Sequence, residues 1–426
     1  MTSGLSAGGF PAEEIRVRSR TAGGGVFPDQ REYGHAVFGA LSRTADPIES
    51  ALLVPPVFMP ERLRRLIELG REPTHEDVVL DTRIGGFRAA APLFVGAFGS
   101  TRAISTGLGA PLSRQAARLG LPLVIGENVV AVNGYRQAQD AAHTTLVERI
   151  SAYADAVADG AGGVVVQQST QDADAEVWNR LYSDPSTVPL LRTGQLAFEL
   201  KVGQGAKPGL GGMTMVDAAE AARLADLYGT AATDGDTPTL RWASPGTFTA
   251  EILRHQVRMM RNNFPLTRVW VKLPPARDVR DAALVAWDAG ADAVTVDGGE
   301  GGTGWAPRAF LEHVGLPLGE CLLRIGGQGG CLLASGRVWE GSRAVKCLAM
   351  GARAVGLGRA ALLAVDEEPE EGLVNLVEGI ELEMRMLISA LGKYVPGAVG
   401  LEDLHFPADH AGRLATPEPL TGLEAA

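Results

Sequence analysis

From Pro92 onward the chain alternates short apolar runs with longer amphipathic stretches, and most of the runs end in glycine, an amide or a charge. Short strands that are each followed by a helix return in one direction, so they build a parallel sheet covered by helices. The runs are Pro92 to Gly99, Pro122 to Ile125, Gly163 to Gln168, Ala197 to Val202, Arg268 to Leu273, a sixth from Val294, Cys331 to Gly336, and Ala354 to Gly358. Helical spacing fills the gaps, near 111–119, 146–158, 215–228, 248–261, 279–289 and 339–350. Eight such units are the arithmetic of a (β/α)8 TIM barrel, whose reactive groups gather at the carboxyl ends of the strands. An open doubly wound sheet would alternate in the same way, but no Gly-x-Gly-x-x-Gly opens a helix after the first strand. Strand seven has a competing register, Cys321 to Ile325. The later run is preferred because Gly336 leaves 15 residues before Gly351, enough for one helix and a return to the sheet.

Three regions follow from this. Residues 1–88 form an irregular Gly- and Arg-rich arm, then a helix near Met59 to Gly70 and a strand or hairpin, Val78 to Phe87, that closes the base of the barrel. Residues 89–365 are the barrel. Residues 366–426 begin with an acidic turn, continue as an amphipathic helix to about Leu391, and end in a Pro-rich tail; the helix is expected on the barrel exterior or on another subunit.

With 46% hydrophobic and 21% charged residues the chain can bury a large core. A net charge of −11 without a Lys/Arg cluster argues against nucleic acid and against an anionic membrane surface, which leaves a small-molecule partner. There is no apolar run of about 18 residues, and Met1 to Phe10 has neither a basic start nor an apolar core, so a cytoplasmic location is expected. Cys321, Cys331 and Cys347 make neither a disulfide framework nor a metal spacing; they suit a reducing compartment, and no metal ligand is assigned. A homo-oligomer is the expected state.

The sixth run breaks into five glycines between Gly298 and Gly304. Glycines such as Gly301 and Gly302 let backbone approach a ligand closely, although a tight solvent-facing turn would use the same residues. Ser335, Gly336 and Arg337, with Gly358 and Arg359, offer bare N–H groups and guanidinium groups where barrels commonly hold a phosphate; either arginine could instead pair with exterior carboxylates. Lys272 ends an apolar strand, where an inward charge needs a partner. Lys201, Gln204 and Lys207 recur every third residue as the chain leaves strand four, so they can converge on a carboxylate or an electron-rich ring, or simply lie on the surface. Glu127 and Gln168 end strands two and three, and Glu127 is either an acid/base group or a solvated carboxylate.

The stretch Lys201-Val-Gly-Gln-Gly-Ala-Lys-Pro-Gly-Leu-Gly-Gly212 closely resembles a signature of the FMN-binding synthase domain of glutamate synthases. Glu300 to Gly304 with Pro307, His313 to Pro317, Gly126-Glu127, Lys272 and the Gly-x-Gly of strand eight fall in matching order, over about residues 90–365. The resemblance implies an FMN-dependent barrel with the flavin phosphate on the loops of strands seven and eight. It puts Lys272 and Gln168 at the flavin ring, Gly96 and Ala97 in the cofactor wall, Gln204 beside the flavin, and Lys201, Lys207 and Glu127 at the reacting carbon. In that family the flavin reduces an imine formed from 2-oxoglutarate and ammonia.

Departures redirect the expectation. The glutaminase and β-helix parts of the family are not matched, and Leu363 to Glu371 replaces a cysteine-rich iron–sulfur segment. Trp242 to Phe248 replaces a Pro/His-rich segment, Arg223 is the nearest counterpart of an expected carboxylate-binding arginine, and Trp305 stands where a small residue is usual and should re-line the cavity. The expected function is therefore a stand-alone FMN oxidoreductase acting on a small amino acid, imine or related carboxylate and exchanging electrons with a separate partner; the expected protein partner is a separate electron-transfer or amidotransferase subunit. The alternatives are an ammonia- or subunit-dependent glutamate synthase and a flavin-free binding subunit.

Overall fold

The computed structural model describes residues 27–39, 46–102, 104–138, 143–157, 160–231, 239–327 and 329–407. Parts of the expected arm (1–26 and 40–45) and tail (408–426) lie outside these. Eight parallel strands close into a barrel in chain order: β1 (Leu93–Phe98), β2 (Pro122–Ile125), β3 (Gly163–Gln168), β4 (Leu196–Lys201), β5 (Arg268–Leu273), β6 (Ala293–Asp297), β7 (Cys331–Ser335) and β8 (Ala354–Leu357). Pairing of Val355 with Leu93 seals the ring. The competing seventh run is instead the helix Leu318–Ile325, with Leu318, Cys321, Leu322 and Ile325 buried at helical spacing.

Inward-facing residues alternate along every strand, and their chemistry changes with height. At the base, Phe94, Val124, Val165, Ala197, Trp270, Ala293, Leu333 and Ala354 make an apolar plug together with Ile84, Phe87 and Ala89. The last three belong to the hairpin Thr82–Ile84/Phe87–Ala89, which packs across the amino-terminal end of the barrel. Its turn needs positive φ at Gly85 and Gly86, and a Cβ on Gly85 would stand 2.4 Å from the Trp270 ring, whose Nε1 donates to the Gly85 carbonyl at 3.0 Å. Truncating so buried a tryptophan costs about 3–5 kcal/mol. One layer higher the interior turns polar: Gln167 Nε2 and Thr295 Oγ1 both donate to the buried Glu199 carboxylate. Lys201, Lys272, Asp297 and Ser335 then line the mouth.

The stretch expected to be a helix from Met215 to Tyr228 is different. Met213–Val216 is a strand, only Ala218–Leu224 is helical, and Thr239–Trp242 pairs between that strand and Gly229–Ala231 in a three-stranded antiparallel sheet. Met213 and Met215 stand at the two-residue spacing of a strand, and sheet partners distant in sequence hold them there. The helix Gly372–Ala390 buries Leu373, Val377, Ile380, Met384 and Ile388 against Gly341–Ala349 and Arg359–Glu367. Arg359–Glu367 runs across the expected boundary at residue 365. In the arm, Phe38–Gly39 pairs antiparallel with Gly302–Thr303. Among the described residues no helix is long and apolar enough to cross a membrane.

Candidate active site

The barrel mouth opens into a cavity of about 330 Å³, within the ~300–1,000 Å³ usual for small-molecule sites. It reaches from Ser335, Gly358 and Arg359 at the ends of β7 and β8 to Gln167 and Lys272 at the inner end, and residues 33–37 of the arm line it from above. Lys201, Lys207, Lys272, Arg102, Arg241 and Arg359 face Glu127, Asp297 and Asp366 across it. The wall is thus predominantly cationic, although the protein is strongly anionic.

Glu127 is delivered by the turn after β2. Asn128 takes a left-handed φ of 66°, its N–H donates to Asp172, and its side-chain oxygen accepts from Ser169 and Tyr228. Glu127 receives Lys201 Nζ at 2.5 Å, and the same ammonium donates to Gln204 Oε1. Lys207 is 2% exposed and donates to the Trp305 carbonyl at 2.7 Å. Burial, helped by the Lys201 and Arg241 charges and opposed by Glu127, pushes its ammonium down to about 7. Burial would also lower Lys272, but the Asp297 and Glu199 carboxylates outweigh it and hold that lysine above its ordinary value. Lys272 pairs with Asp297 at 3.1 Å; the same Asp297 oxygen accepts Gly205 N–H, and its other oxygen has no partner among the described residues.

Sequence reasoning missed Arg241. It comes from the inserted sheet, is 1% exposed, and holds its guanidinium 4.5 Å from the Tyr228 ring centre while Nη2 donates to Thr214. It makes no ion pair among the described residues, and its Nε and Nη1 lack hydrogen-bond partners there. A buried cation without a counterion is costly unless a ligand completes it. The expected Arg223 instead donates to the Ala131 carbonyl on an exposed helix and does not line the cavity. The inward or outward face of a two-residue period would have found a second omission, Gln167: β3 turns Val165 and Gln167 inward and Gln168 outward.

The remaining expectations divide cleanly. Gly96, Ala97, Glu127, Lys201, Gln204, Lys207, Lys272, Gly302, Ser335, Gly358 and Arg359 are gathered around the cavity. Gln168 is not; its Oε1 accepts the Trp178 N–H beside a smaller neighbouring cavity that shares Glu127 and Lys201. Gly301 packs against Gly205 and Gly298 instead of facing the cavity. Gly336 gives its carbonyl to Arg343. Arg337, at a φ of 53°, is exposed outside the cavity. Trp305 does not re-line the cavity either: it is buried behind the wall against Phe27, Tyr33 and Phe38.

The family described as a conserved region in glutamate synthase matches residues 139–368, more than half of the chain. The chain belongs to this family. Two relatives in the glutamate synthase group illustrate the likeness. A glutamate synthase large subunit-like protein of Rhizobium meliloti is 33% identical over 236 residues, covering 52% of this chain and 48% of that one. An archaeal glutamate synthase [NADPH] of Methanocaldococcus jannaschii is 32% identical over 178 residues, covering 40% and 34%. The chain thus spans about half of the first and a third of the second. Among solved structures, a mandelate oxidase mutant with a monooxide FMN adduct gives a TM-score of 0.53 at 19% identity, covering 85% of this chain and 89% of that one. A chimeric (S)-mandelate dehydrogenase gives 0.53 at 17%, covering 87% and 93%. At these identities the likeness is one of fold.

Proposed function

We propose that this glutamate synthase-family chain is an FMN-dependent oxidoreductase whose substrate is a small amino acid, an imine or a related carboxylate. The observation that carries the reading is the cationic cavity in an anionic protein, which suits a ligand with a phosphate and a second, carboxylate-bearing ligand. Its geometry fits FMN. A Cβ added at Gly358 meets nothing within 4 Å, so the backbone there is bare toward the cavity, and the helix Arg359–Glu367 begins at that point with Arg359 beside it. At the inner end, Lys272 and the amide of Gln167 suit the electron-rich edge of a flavin ring.

Bound FMN would supply a two-electron acceptor or donor for a hydride at the carbon bearing nitrogen. Arg241 and Lys201 hold the substrate carboxylate. Lys207 and Glu127 hold or move the proton on nitrogen: in the oxidative direction the carbon loses a hydride and the nitrogen a proton, leaving C=N, and the reductive direction returns both. Electrons then pass to or from a separate partner. Glutamate formation from 2-oxoglutarate and ammonia is the second reading, favoured by the family match.

Anaerobic mixing of the flavin-loaded protein with a panel of amino acids and amines tests the first reading, with bleaching by at least one member expected. Reoxidation of chemically reduced protein by 2-oxoglutarate plus ammonia, with no bleaching by the panel, would favour the second. Lys207→Ala should lower turnover roughly 10²–10⁴-fold with flavin still bound; loss of flavin with unchanged turnover per bound FMN would move Lys207 into the cofactor shell.

A further inference from the structure

Trp305 ends the glycine-rich loop, yet it is only 1% exposed. Its cover comes from afar. Phe27 stacks on it at 6.1 Å between centroids, Tyr33 and Phe38 meet it edge-on at 5.4 and 5.2 Å, and Met215 and Leu240 of the inserted sheet back it. A two-residue ladder, Phe38 with Thr303 and Gly39 with Gly302, fixes the arm to the same loop. Behind this clasp, the Trp305 carbonyl accepts the buried Lys207 ammonium.

We propose that Trp305 is a positioning residue through which the docked arm fixes and seals Lys207, so that the active site is complete only when the arm is clasped. The aromatic contacts are worth roughly 0.5–1.5 kcal/mol each beyond their burial, so three of them can hold one carbonyl in place against thermal motion. An ammonium has three donors and needs oriented acceptors once water is excluded. The groups facing Lys207 are Lys201 at the end of β4, Glu127 after β2 and Arg241 on the inserted sheet; Lys201 and Arg241 repel its charge and Glu127 favours it. Loosening the clasp admits water, which restores hydration of the ammonium and weakens the repulsion. The lysine then regains ordinary basicity and accessibility.

The inference rests on the role given to Lys207 above, but its test needs neither flavin nor substrate. Acetic anhydride labelling of the purified protein across pH, read peptide by peptide by mass spectrometry with Lys346 as internal reference, reports the midpoint and rate of Lys207 alone. Phe38→Ala should raise the Lys207 midpoint by at least one pH unit and its limiting rate at least tenfold. Phe27→Ala, which removes only the outer stacked ring, should give a smaller shift in the same direction, and Trp305→Phe should stay near wild type. A Lys207 profile unchanged in Phe27→Ala, or in a folded Phe38→Ala, overturns the proposal. So does Trp305→Phe moving as far as Phe38→Ala. A colourless protein with the expected shifts would count against the flavin reading and leave this one standing.

Discussion

Two buried charge clusters sit within one loop of each other and are built on opposite principles. Beneath the glycine-rich loop, Arg343 is spoken for on every side: Nη1 meets Glu49 at 2.7 Å, Nη2 meets Asp46 and Glu300 at 2.7 and 2.6 Å, and Nε donates to the Gly336 carbonyl. Asp46 also receives the N–H groups of Ile48 and Gly319, and Glu300 that of Leu318. At the barrel mouth, Glu127 pairs with Lys201 and its charge also acts on Lys207, while Arg241 has no ion-pair partner among the described residues. The first cluster is complete without a ligand and ties the loops of β6 and β7 to residues 46–49. The second is left open on the cavity side. Arg149, buried in the helix Leu146–Ala154, also leaves Nε and Nη2 without partners among the described residues but does not line the cavity, so it is an incomplete hydrogen-bond inventory at a buried cation facing the cavity that separates the candidate site from the scaffold.

The largest expected effect falls on the closed cluster. Arg343→Leu would strand Asp46 and Glu300 as buried carboxylates and should cost about 3–5 kcal/mol in urea unfolding. A loss under 1 kcal/mol would mean that the two clusters do not differ in this way. Arg241→Leu should do the reverse. Stability should change by only about 1 kcal/mol, because no direct ion pair is broken, while affinity for the carboxylate that best perturbs the flavin spectrum should fall by roughly 2–3 kcal/mol, near a hundredfold.

The pH dependence separates the clusters by direction. Burial and Asp46 push Glu300 up to about 7 from 4.5, so its contribution is full below 4.5 and is lost as pH rises through 7. Lys207 is depressed from 10.5 to about 7, so the unfolded chain binds more protons in between. Its contribution is full above 10.5 and is lost as pH falls through 7. Denaturation across pH should show Glu300→Gln removing a loss of stability between about pH 4.5 and 7, and Lys207→Met removing a gain between about pH 7 and 10.5. Exchange of those two effects would contradict the assignment. The smallest contrast lies on β3. Gln167→Ala should weaken flavin binding by about 0.5–1.5 kcal/mol, and Gln168→Ala should leave it unchanged in a fluorescence titration.

Much of this architecture was legible in the sequence. All eight strands fall within a residue or two of the apolar runs, because a buried parallel strand must be apolar on both faces and must stop where the chain turns to a helix. The spacing from Gly336 to Gly351 picked the correct seventh strand. The gathering of Lys201, Gln204 and Lys207 followed from glycines that break the strand between them. What stayed hidden depends on distant partners. Arg241 reaches the cavity only because residues 213–216 and 239–242 pair as a sheet, and Trp305 is turned from the cavity by aromatic residues more than 260 positions earlier. Gln168 was misplaced by one residue of strand parity, which moves a side chain to the opposite face.

The most direct measurement is the visible spectrum of the purified protein, with the chromophore identified after denaturation. The account predicts flavin absorption and about one FMN released per chain, or stoichiometric uptake on reconstitution. A colourless protein that takes up no FMN would contradict it.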